Sequence, residues 1–149
     1  EARDFASQLA RDLQRARVQA VSTRLPIRAY VFRDRVEFRQ ATAGATPGEA
    51  PTAPTLASPI GNVVMAKTDV ALVNVTTVPT PPGGQVLTTA TPVEVEFNGT
   101  GGAQLIGTPG AANLFLWVRH DGLALAAPTR LYRVDVSTLT GHVRLRETW

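Results

Sequence analysis

The chain has 149 residues, of which 44% are hydrophobic, a formal net charge of +3 and no cysteine. This is enough apolar material for one globular domain, or a domain with a stem, and it excludes a disordered chain. Disulfides, thiolate metal sites and cysteine nucleophiles are excluded as well; the compartment stays open, because a domain of this size folds without disulfides.

Residues 1–24 predict an amphipathic helix. Phe5, Leu9, Leu13, Ala16 and Ala20 recur every three to four positions, and the stretch contains no proline or glycine. Arg3, Arg11, Arg15 and Arg17 fill much of the remainder and read as a solvated face. Nothing before Phe5 reads as an N-cap with a capping box, so the helix reads as one already under way. Pro26 disfavours helical geometry at Leu25 and ends the helix near Arg24.

Beyond it the chain becomes β-rich, and residues 25–149 read as a globular head. Ile27–Gln40 is β-prone, with a hairpin turn at Arg33-Asp34. Residues 41–59 are rich in Ala, Thr, Pro and Gly and nearly chargeless, which predicts an exposed, variable loop. Val63–Ala66, Val70–Val78 and a short Val86–Thr89 are strand candidates. Val93, Val95 and Phe97 alternate with Glu94 and Glu96, a half-buried strand with its glutamates toward solvent. Asn98–Gly102 is a turn. Ala112–His120 reads as a strand buried on both faces, with Trp117 in the core, and ends in an Asp121-Gly122 turn. Arg130–Val136 and His142–Arg146 form a closing hairpin around Thr140-Gly141, and Trp149 is terminal. Short strands at this spacing imply antiparallel sheets, so the fold class is α+β.

Charge is unevenly spread. Residues 1–39 carry nine arginines against five acids, residues 40–118 one lysine (Lys67) against four acids, and residues 119–149 five arginines against three acids. No stretch approaches the roughly 18–20 apolar residues of a bilayer span, so a membrane segment would have to lie upstream of Glu1.

A search for catalytic residues finds little. His120 and His142 fit no zinc spacing. His120-Asp121 with Ser58 or Ser137 lacks the Gly-x-Ser-x-Gly context of a nucleophile. Glu94 and Glu96 share a strand face as paired carboxylates would, but a solvent-facing strand explains them equally well. The glycines at 83–84 and 99–102 lack the Lys-Ser/Thr of a phosphate loop. The expectation is a protein without catalytic residues, metal or cofactor.

Leu9, Asp12, Leu13, Ala16, Arg17, Ala20, Val21, Pro26 and Ile27 fall on the pattern L-x-x-D-L-x-x-A-R-x-x-A-[IV]-x-x-x-x-P-[VI]. In this the chain resembles the GspH/FimT/FimU group of type IV pilin-like proteins. Val93–Gly99, Leu114–Val118 and the hairpin Tyr132–Leu145 resemble later strands of the same group, in the same order, whereas 41–90 matches nothing in it. The resemblance implies a pilin-like fold in which residues 1–24 are the C-terminal half of the stem helix. Phe5, Leu9, Leu13, Ala16, Ala20 and Val21 would pack on a β-sheet, with Phe5 reaching past the sheet and exposed. It also implies a leader and an apolar helix of about 20–25 residues ahead of Glu1, anchoring a precursor in the bacterial inner membrane before assembly into a periplasmic or cell-surface filament.

The implied function is a non-enzymatic subunit, a minor pilin or type II secretion pseudopilin at or near the filament tip that primes assembly. Its partners would be other minor pilins or pseudopilins and the major subunit. A DNA-binding minor pilin for natural transformation is the alternative. Some members of the group bind DNA through a C-terminal G-R-x-R, which here reads Gly141-His142-Val143-Arg144. Histidine replaces the first arginine and carries less charge at neutral pH, while Arg130, Arg133 and Arg146 would extend the basic patch. A third reading is an unrelated β-rich binding module, for instance for carbohydrate.

Overall fold

The computed structural model describes residues 2–41, 63–65, 70–82, 87–108, 110–120 and 131–147, with 63–65 and His120 described for the backbone alone. The loop beyond Ala41, Ser58, Val86, the Asp121-Gly122 turn, Arg130 and Trp149 lie outside the described residues.

Helix α1 runs from Ala2 to Thr23. Nine strands follow: β1 (Ile27–Val31), β2 (Arg35–Gln40), β3 (Val63–Met65), β4 (Val70–Thr76), β5 (Val93–Phe97), β6 (Ala103–Leu105), β7 (Asn113–His120), β8 (Leu131–Ser137) and β9 (Val143–Arg146). They form two antiparallel sheets, a five-stranded one in the order β3-β2-β1-β5-β6 and a four-stranded one in the order β4-β7-β8-β9. Leu87–Thr89 is not a strand, and β6 is a strand that the alternation did not predict.

The helix touches strands of both sheets and completes one core. Its stripe residues Phe5, Leu9, Leu13, Ala16 and Ala20 are buried together with Val31, Phe38, Phe97, Leu114, Leu116 and Val134. Burying each large side chain contributes about 1.5–3 kcal/mol. Two expectations fail. Phe5 is buried as part of the main core cluster. Val21 is 43% exposed: it follows Ala20 by one residue, about 100° around the helix, and so leaves the buried stripe.

The helix end is fastened on two sides. Arg24 takes a left-handed conformation (φ 59°) just past the last helical residue, the usual place for a glycine. A Cβ on Gly99 would lie 2.7 Å from the Arg24 carbonyl carbon, so the β5–β6 turn packs against this end at backbone distance. On the other side the Gln40 side chain donates to Thr23 Oγ1 at 2.6 Å and accepts from Gln19 at 3.2 Å, joining the helix to β2.

Among the described residues no helix is long and apolar enough to cross a membrane, and no cluster of three or more His, Asp or Glu is placed to hold a metal ion.

Candidate interaction surface

The two sheets differ in what their outer faces carry. On the five-stranded sheet, β1 and β5 set Arg28 opposite Glu96 and Tyr30 opposite Glu94. The Arg28 guanidinium donates to Glu96 Oε1 at 3.0 Å and to Glu94 Oε1 at 2.9 Å, and Gln104 donates to Glu96 Oε2 at 3.2 Å. Arg28 is 3% exposed and Glu96 1%, which corrects the solvent-facing reading for Glu96, whereas Glu94 stays partly exposed. The reason is topological: β5 lies between β1 and β6, so Glu96 is enclosed by side chains of both neighbours. Burial works against the Arg28 charge, but the hydrogen bonds it donates to Glu94 and Glu96 outweigh it, and its pKa lies above the ordinary value.

On the four-stranded sheet the outer face begins with a small apolar cluster separate from the main core: Val73, Phe115, Trp117 and Leu131. The Trp117 indole N–H donates to Thr76 Oγ1 at 2.8 Å. The Arg133 guanidinium lies over Phe115, 4.7 Å from the ring centre, and 5.6 Å from that of Trp117. It donates twice to the Asp135 carboxylate, at 2.6 and 3.0 Å. Arg146 approaches the same carboxylate at 3.5 Å, an ionic contact rather than a hydrogen bond. Arg144 stands directly opposite Asp135 in the ladder and is exposed, as is His142. Phe115, Arg133, Asp135, His142, Arg144 and Arg146 thus line one shallow groove of about 360 Å³.

Of the residues expected to form a basic patch, the structure gathers Arg133, His142, Arg144 and Arg146; Arg130 lies outside the described residues. Sequence reasoning overlooked Asp135 and Phe115. Both signals were present: Asp135 alternates in phase with Arg133, and Phe115 alternates with the inward Leu114 and Leu116.

The turn that launches β9 is fixed by the helix. Arg17 Nε donates to the Thr140 carbonyl at 2.8 Å, and the Gly141 amide donates to the Ser137 carbonyl at 2.8 Å. Gly141 has φ +72°, and a Cβ there would overlap the Gly101 carbonyl oxygen and press on the Arg17 side chain. Glycine is required at this position on both counts. Arg3 pairs with Glu147 at the far end, so α1 runs antiparallel alongside β9.

No family model and no curated protein sequence matches the chain. Among solved structures it is similar to the minor pseudopilin EpsH from the Type 2 Secretion System of Vibrio cholerae, with a TM-score of 0.60 and 15% sequence identity, over 98% of this chain and 96% of that one. One helix laid across two antiparallel sheets, in an arrangement shared with EpsH along nearly the whole chain, is the GspH-like pilin fold, an α+β fold.

Proposed function

We propose that the protein is a non-enzymatic minor pilin or pseudopilin that sits at or near the tip of a type IV pilus or type II secretion pseudopilus and primes its assembly. The carrying observation is the near-complete structural likeness to a minor pseudopilin, helix and both sheets included. The helix supports it: Leu9, Leu13, Ala16 and Ala20 fix a rigid rod on the head, while Arg11, Arg15 and Val18 stay exposed along it for neighbours. In this reading residues upstream of Glu1 continue the rod as an apolar segment, which holds the precursor in the inner membrane and later packs among other subunits. Deleting the gene in its host is expected to abolish filaments or secretion, and the full-length gene restores them. Unchanged assembly and secretion in the deletion strain would contradict the reading.

A second reading, DNA capture, is favoured by one observation: His142 and Arg144 are exposed on one strand face with Arg133 and Arg146 beside them. Asp135 draws on both of the latter, so phosphate contact would fall mainly on Arg144. This reading predicts salt-sensitive binding of duplex DNA that Arg144→Ala weakens; no binding at low salt removes it.

A further inference from the structure

Among the described residues, strand β9 is hydrogen-bonded on one side only. The Ser137 amide donates to the His142 carbonyl at 2.9 Å, and Asp135 and Arg133 pair with Arg144 and Arg146 in register. Antiparallel ladders alternate, so the backbone groups of His142, Arg144 and Arg146 face β8, and those of Val143 and Leu145 point away from the sheet. β9 is the last strand of its sheet, and among the described residues no backbone hydrogen bond reaches Val143 or Leu145 from that open side. The strand has no proline, and its pairing with β8 runs without a bulge. Among the described residues, its exposed side chains are charged.

We propose that β9 is a docking edge that accepts one extended acidic segment of a partner protein, which adds a fifth strand to the four-stranded sheet. Around this edge Arg133, Arg144 and Arg146 stand by Asp135, Glu147 is paired with Arg3, and the surplus is positive. Charged residues at alternate positions repel a second basic strand and admit one whose carboxylates fall opposite His142, Arg144 and Arg146. The ladder supplies affinity, and the alternating charges supply selectivity. Beneath these side chains, Val143 and Leu145 pack on the core, which keeps the edge straight and preformed. Duplex DNA is the poorer fit: it makes no use of alternating amides and carbonyls. The inference concerns the free edge of the head and does not rest on the filament reading.

The probe is a short peptide alternating threonine and glutamate, titrated into isotope-labelled protein. Hydrogen exchange at the Val143 and Leu145 amides is expected to slow by roughly tenfold or more at saturation. A peptide N-methylated at the residues facing β9 should lose binding, and one methylated at the intervening residues should keep it. Arg144→Glu, with unchanged circular dichroism, should weaken binding by about tenfold, and an alternating threonine–lysine peptide should not bind. The proposal is overturned if the acidic peptide does not bind, if it leaves both amides unprotected, if either methylated peptide binds as well as the parent, or if duplex DNA binds in its place.

Discussion

The outer faces of the two sheets use the same chemistry to opposite ends. On the five-stranded sheet one arginine, Arg28, lies between two glutamates, and a glutamine takes the remaining carboxylate oxygen. On the four-stranded sheet two arginines, Arg133 and Arg146, share one aspartate, and Arg144 stays in solvent. The first cluster is complete within the fold, so its worth is structural. The second has charge left over beside an unpaired strand edge, so its worth lies in what it meets.

The sharpest way to break this comparison is Arg28→Ala. It leaves the buried Glu96 carboxyl without its guanidinium, and is expected to cost about 3–5 kcal/mol; chemical denaturation would show it as a shifted midpoint with unchanged slope. Next is Gly141→Ala, which forces a left-handed backbone and a clash with Gly101 at the turn feeding β9. A loss of about 2–3 kcal/mol is expected from strain and overpacking, together with a disturbed Arg17–Thr140 contact visible in amide shifts. Asp12 offers an intermediate case, a buried carboxylate whose nearest arginine, Arg15, is 3.5 Å away. Burial raises its pKa, against the pull of Arg15 and then Arg11. A carboxyl harder to ionise in the fold than in the unfolded chain subtracts stability wherever it is ionised. That loss is complete above the folded pKa and vanishes as pH falls through it toward the unfolded value of 3.8. Asp12→Asn is therefore expected to raise the melting temperature at neutral pH, and the gain should shrink to nothing in acid. The smallest effect belongs to Arg144→Ala, within about 0.5 kcal/mol: an exposed charge that the fold does not need. Were Arg144→Ala to destabilise as much as Arg28→Ala, the contrast between the faces would be false.

The helix and most strands were legible because their periods are local: Phe5 to Ala20 at helical spacing, Val93 to Phe97 at two, Leu114 to Val118 without break. What was not legible depends on neighbours distant in sequence. Glu96 reads as exposed by alternation and is buried because β6 and Arg28 arrive from elsewhere. Val21 fits a family pattern, yet the helix turns it outward. Three-residue β6 is too short to show a period and is held by β5 and by the Ala103–Thr138 hydrogen bond. Within the groove, His142, Arg144 and Arg146 could be placed on one face from the sequence. The Asp135 that tempers them, and the open edge they flank, are products of strand order.

The proposed role makes this chain one subunit of a filament in which its helix lies against those of other subunits. The chain has no cysteine, so a single cysteine at exposed Val18 is a unique handle on the helix. Val18→Cys in the full-length protein, oxidised in cells together with single-cysteine variants of the other filament subunits, is expected to yield a disulfide-linked heterodimer that disappears when assembly is blocked. Working filaments or secretion with no cross-link from Val18 or any other exposed helix position to any subunit would contradict the account.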